Sequence, residues 1–112
     1  MGGPRYFVLA ALLDGRRHGY AIIKQVEDLS GGQVRLAAGT LYALLDRLAA
    51  DGHVESDGAE VVNGRARRYY VLTERGSAAL RQEAVRMAAA ARVVTERVTL
   101  PGLGQDAGAE TA

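Results

Sequence analysis

The chain has no cysteine and no tryptophan, and its formal net charge is only +1. Without cysteine there can be no disulfide, thiolate metal site or thiol nucleophile, and the lack suits a reducing compartment. No run of about 18 apolar residues is present to span a bilayer. The opening MGGPRYFVLAALLDG has neither the basic start nor the small-residue cleavage site of a secretory signal. The chain therefore reads as cytoplasmic, with no membrane partner. A charge of +1 is too small to announce a nucleic-acid partner, so the placement of the charges has to decide.

The usual marks of an active site are missing too. His18 and His53 stand alone, with no second histidine three or four residues away. The glycines occur as isolated helix stops and turns, not as a phosphate-cradling loop or a dinucleotide fingerprint. The serines, Ser30, Ser56 and Ser77, sit in no strand-to-helix elbow, and the carboxylates are scattered, not paired in an apolar stretch. No metal, cofactor or catalysis is expected.

What is present suits one domain: 112 residues, 48% hydrophobic and 24% charged. Pro4 followed by RYFVLAALL predicts a buried first helix, closed by Asp14-Gly15 with the glycine in the left-handed position. A second helix is predicted from about Gly19 to Leu29, with Ile22, Ile23, Val26 and Leu29 on one stripe. The third lies within residues 35–52, RLAAGTLYALLDRLAADG. Leu41, Leu44, Leu45 and Leu48 make its core face, and Asp51-Gly52 closes it by the same device. Its first turn is bare: Gly39, Thr40 and Ala43 are small or polar, and Tyr42 points off the leucine stripe.

Two β-rich runs, 53–56 and 67–73, predict a hairpin. Asn63-Gly64 and Gly58 both offer bends, so a long connecting loop is expected. Arg65, Arg67 and Arg68 sit at its tip and on the return strand. Thr73 and Glu74 open a last helix whose Leu80, Ala84, Met87, Ala91, Val94 and Val98 follow heptad steps of four and three. That stripe either packs on its own domain or takes a partner helix. A helix of about 25 residues would be about 37 Å long and would overhang so small a body, which favours a homodimer. The tail from residue 101 has glycines, small residues and two acids but no stripe, and is expected to be disordered.

The order helix, helix, helix, hairpin, helix is mainly α with a β-hairpin wing. A helix entering the DNA major groove by its N-terminus needs small first-turn residues, and Gly39, Thr40 and Ala43 are of that kind. Tyr42 has a hydroxyl for phosphate, and Arg47, one turn beyond Ala43, could reach phosphate or guanine. Other uses are open for the same residues. Tyr42 could cover the second helix, the wing arginines could guard an edge strand against pairing, and Arg16, Arg17 and His18 could form an ordinary loop. A winged-helix module that binds another protein instead of DNA is the rival function, although it has little need for three arginines within four residues.

HGYAIIKQVEDLSGGQVRLAAGTLYALLDRLAADGHVE followed by GRARRYYVLTERG resembles the PadR family of bacterial transcriptional regulators over residues 5–98. The family pattern has HGY opening the second helix, GTLY opening the recognition helix, and a G-R-x-R/K-x-Y-x-L-T-x-x-G wing. The resemblance implies a winged helix-turn-helix over residues 1–73 and a long C-terminal dimerisation helix over 74–100, the first helix assisting the dimer through Tyr6 and Phe7. It also implies repression as a homodimer on double-stranded DNA carrying a palindromic operator. His18, Tyr20, Gly39, Thr40, Tyr42, Arg65, Arg67 and Arg68 match positions that touch DNA in the family, and Arg47 is added from helix geometry alone. Some members respond to a small hydrophobic effector, for which Tyr6, Phe7, Met87 and Ala91 would line a pocket here. Where the family commonly has Ser-Pro before GTLY and Pro after it, this chain has Ala37, Ala38 and Ala43. An alanine cap gives up about 1 kcal/mol, so Thr40 is expected to cap instead and to delay the helix by a few residues.

Overall fold

The structure, a computed structural model, describes residues 3–98. The tail expected to be disordered lies outside the described residues. Helix α1 (Pro4–Ala11) leads through a two-residue strand β1 (Arg17–His18) into α2 (Gly19–Leu29) and α3 (Ala38–Ala50). A hairpin follows, β2 (Val54–Val62) and β3 (Arg65–Leu72), and then the long α4 (Glu74–Arg97). The strands form one antiparallel sheet in the order β1-β3-β2. Among the described residues no helix is long and apolar enough to cross a membrane.

The core is where the apolar stripes meet. All four α3 leucines are buried, Leu44 being the most accessible at 7%. They pack with Val8, Leu9, Ala11 and Leu12 from the first helical segment, Ile22 and Val26 from α2, Val54 and Tyr70 from the sheet, and Leu80 from α4. Of the predicted α2 stripe, Ile23 is half-buried and Leu29 exposed, so only its first two turns reach the core. Arg5 ties α1 to the far corner of α3, at 2.7 Å from His53 Nδ1 and 3.3 Å from the Asp51 carboxylate.

The two Asp-Gly dipeptides act differently. At the end of α3, Gly52 takes φ of 78°, its N–H reaches Ala49 O, and the next N–H, of His53, reaches Leu48 O. This is the paired closure that glycine in the left-handed position permits. At α1 the helix stops earlier, at Ala11, and Gly15 has φ of 131°, away from the left-handed helical region. The reason is that Arg17 Nε donates to Ala11 O at 2.7 Å, so a side chain from the next strand takes one of the last carbonyls.

Three further expectations are corrected. The connection in the hairpin is a tight two-residue turn, not a long loop: Val62 pairs with Arg65, with Asn63 and Gly64 between them at φ of 52° and 77°. Both residues at positive φ give the turn whose twist matches the strands. Gly58 does not end β2. Asp57 and Gly58 form a bulge, opposite Tyr69, between the Ser56–Tyr70 and Ala59–Arg68 pairs, and the strand continues beyond it. Finally, α3 begins at Ala38 with Ala37 in the cap position and no side-chain cap, so Thr40 lies within the first turn and caps nothing. The buried leucines fix the phase of the helix, and Leu41 N–H already bonds to Ala37 O at 2.9 Å. Thr73 does cap α4, accepting from Gly76 N–H at 2.9 Å.

Candidate nucleic-acid interface

The helix-turn-helix is α2, the 30–37 connection and α3. Residues 37–40 are all exposed, and the absence of a cap leaves the first-turn N–H groups of α3 without side-chain acceptors. Tyr42, Ala43 and Arg47 are exposed on the same helix, away from the leucine stripe. That end of α3 presents donors and partial positive charge to whatever approaches it.

At the start of α2, His18 is the N-cap. Its Nδ1 accepts the Ala21 N–H at 3.3 Å, which puts the proton of the neutral ring on Nε2. Burial, then the Arg67 charge, lower the His18 pKa from its ordinary value, while Glu60 pulls the other way. Gly19, next in the chain, is buried under the phenol end of Tyr42: a Cβ there would lie 2.8 Å from Tyr42 Cζ and collide with the hydroxyl. Tyr42 thus takes the covering role that the sequence left open. It covers the α2 start, yet remains 40% exposed, while Tyr20 beside it is 68% exposed. Gly19 went unnoticed in the sequence, although its place between His18 and Tyr20 in the HGY motif was a signal.

One groove brings together His18, Tyr20, Tyr42, Arg65, Arg67 and Arg68. Gly39, Thr40 and Arg47 do not line it and lie on the exposed surface of α3. The wing arginines divide between two faces, because strand side chains alternate. Arg68 shares a face with buried Tyr70 and lines a cleft with Tyr42 and Asp46 of α3. Arg65 and Arg67 share the other face with Tyr69, whose ring meets His18 edge-on at 5.6 Å. The period-two alternation carried this signal in the sequence. Among the described residues, Arg47, Arg65, Arg67 and Arg68 make no ion pair, whereas Arg5, Arg16, Arg17 and Arg35 each do.

The seam of α4 is covered only near its start. Leu80 is 5% exposed and belongs to the core, and Ala84 and Met87 are half-buried. Ala91 is exposed, as is Val94 at 58%; Val98, expected as the last position of the stripe, is 50% exposed but lies just past the helix as its extended C-cap. Tyr6 and Phe7, half-buried on α1, meet edge-on at 5.4 Å. An open groove of about 470 Å³ runs between α1 and α4, lined by Arg5, Tyr6, Leu9, Leu80, Glu83 and Arg86 among others. Of the four residues expected to line an effector pocket, it includes Tyr6 but not Phe7, Met87 or Ala91.

Comparison with known proteins places this arrangement. The description "Transcriptional regulator PadR-like family" matches residues 8–82. A transcriptional regulator of Mycobacterium tuberculosis is 40% identical over 79 residues, 70% of each chain. The crystal structure of a PadR family transcription regulator from Clostridium difficile superposes with a TM-score of 0.70 at 26% identity, covering 82% of this chain and 94% of that one. Bacillus subtilis PadR, solved in complex with operator DNA, is similar in fold, with a TM-score of 0.63 at 21% identity over 72% of this chain and 46% of that one. The bare recognition-helix end, the arginine-bearing wing and the matched span agree, and the chain belongs to the PadR-like family of transcriptional regulators.

Proposed function

We propose that the chain is a cytoplasmic repressor that binds an inverted-repeat operator as a homodimer and is released by a small hydrophobic effector. The observation that carries the DNA reading is the uncapped first turn of α3, set beside four arginines without carboxylate partners. Gly39, Thr40 and Tyr42 would enter the major groove, with Arg47 reaching phosphate or guanine. His18 Nε2, Tyr20, Arg65, Arg67 and Arg68 would hold the flanking backbone. The operator-bound Bacillus subtilis relative supports the choice of DNA as partner.

In this reading residues 1–73 form the DNA-binding unit and the segment 74–100, which contains α4, the dimerisation unit. Ala91, Val94 and Val98 are the part of the seam left for a partner helix, and Ala84, Met87, Tyr6 and Phe7 would flank it, while Leu80 anchors the helix to its own core. Two-fold symmetry presents two α3 helices about 34 Å apart or a multiple of that, so the operator is an inverted repeat. The groove between α1 and α4 adjoins this interface and is where an effector would act.

A gel shift of the purified protein against its own upstream intergenic DNA, with mixed-sequence competitor, tests the reading. A discrete band that resists competitor, and a footprint with an inverted repeat, are expected. With roughly six to ten phosphates neutralised per dimer, log affinity should fall with log salt at a slope of about −5 to −9. Binding with no preference over competitor would overturn the proposal.

A further inference from the structure

The wing sets three carboxylates, Glu55, Asp57 and Glu60 on β2, against three arginines, Arg65, Arg67 and Arg68 on β3. Glu60 is directly opposite Arg67 in the strand register. Opposite charges so placed ordinarily pair, and an arginine already neutralised would gain little from a phosphate. Yet the Glu60 carboxylate turns the other way. Its Oε1 accepts from the Tyr69 hydroxyl at 3.0 Å, and its Oε2 lies 3.7 Å from Arg16 Nη2. The Arg16 guanidinium lies 3.9 Å above the centre of the Tyr69 ring, and its Nε is 3.9 Å from Asp57. Ring and two carboxylates together hold Arg16 against the base of the wing.

From this we infer that Arg16, seated on Tyr69, is a positioning residue: it draws Glu60 away from Arg67 and so keeps Arg67 free to take a DNA phosphate. Arg16 belongs to the basic run at 16–17 and invites the simpler view that it touches DNA itself. Its two acidic partners argue otherwise, since a guanidinium already shared between two carboxylates has to give them up before it meets phosphate. His18 meets the Tyr69 ring edge-on and lines one groove with Arg67, so the device lies beside the cap of α2. The inference rests on the reading of the wing as a phosphate contact.

The test is a set of variants of the full chain titrated with a mixed-sequence DNA duplex at several salt concentrations, which needs no knowledge of the operator. Arg16→Ala should free Glu60 to pair with Arg67, weakening binding by about two- to fivefold per wing, with a flatter salt slope. Tyr69→Phe should do the same to a smaller extent. Adding Glu60→Gln to either should return affinity to within about twofold of the parent, because the competitor for Arg67 is gone. A direct DNA contact, or a wing merely disordered by the substitution, would not be rescued, so a double variant as weak as Arg16→Ala overturns the inference. Arg67→Ala separates the two levels: if it leaves affinity and slope unchanged, the wing reading itself falls, whereas a loss there without rescue in the double variants sinks only the role of Arg16.

Discussion

Helices α3 and α4 carry apolar stripes of similar regularity, and the protein treats them in opposite ways. Every leucine of the α3 stripe is at least nine-tenths buried within the chain, whereas the α4 stripe begins in the core at Leu80 and ends with Val94 more than half exposed. Spacing shows which face of a helix is apolar; it does not show what covers that face. Here the difference follows from position. Helix α3 lies between α2 and the start of β2, while α4, about 36 Å long for 24 residues, packs on α1 and β3 and runs on beyond them. One stripe organises a fold, and the other is the surface that the proposed dimer would cover.

The comparison can be broken most directly at its two ends. Leu45→Ala should lower the folding free energy by about 2–5 kcal/mol, because it opens a cavity in a fully packed site. Val94→Ala should change the stability of the dilute monomer by less than about 0.5 kcal/mol. Similar urea midpoints for the two variants would mean that the α4 stripe is as much a part of the monomer core as the α3 stripe.

Next in size is the effect of charge on the outer stripe. Val94→Glu leaves the monomer fold intact because the side chain is already exposed, but a carboxylate in a helix seam would have to lose water without a partner, at about 1–3 kcal/mol. Sedimentation should show monomer at concentrations where the parent is a dimer, and operator affinity should fall with it. An unchanged dimer would move the interface elsewhere.

A smaller effect separates the polar face of α3 from its leucine face. The Tyr42 hydroxyl rests over Gly19 and among the described residues makes no hydrogen bond of its own. Tyr42→Phe should therefore keep the melting temperature and cost about 0.5–1.5 kcal/mol of operator binding. A lowered melting temperature with unchanged affinity would reassign the tyrosine to the core.

The smallest effect concerns the cap on the neighbouring helix. Because the folded pKa of His18 is depressed, the unfolded chain takes up a proton first as the pH falls. The capping contribution is intact above about pH 6.5 and declines as the pH drops through the folded value. His18→Asn, which caps without titrating, should flatten the fall in melting temperature between neutral and mildly acidic pH. An unchanged profile would remove the cap from the account.

How far the site was legible follows from the range over which each cause acts. The leucine stripe, the Thr73 cap and the Asn63-Gly64 bend are local, and they could be read. The length of the hairpin could not, because whether Gly58 breaks a strand or bulges within it depends on the partner strand. Strand β1 is only two residues long, and its extended form exists through its pairing with Tyr69 and Tyr70. Local cap preference pointed to Thr40, but burial of four leucines set where α3 begins.

The sequence by itself determined the order of the four helices and the hairpin, the apolar faces and the family, because these depend on periods and motifs within short stretches of chain. Tertiary structure alone decided that Gly19 lies under the phenol of Tyr42 and that Glu60 is held by Arg16 and not by the arginine across from it. Each of these depends on which groups compete for the same few ångströms, and that competition is settled only when distant segments come together.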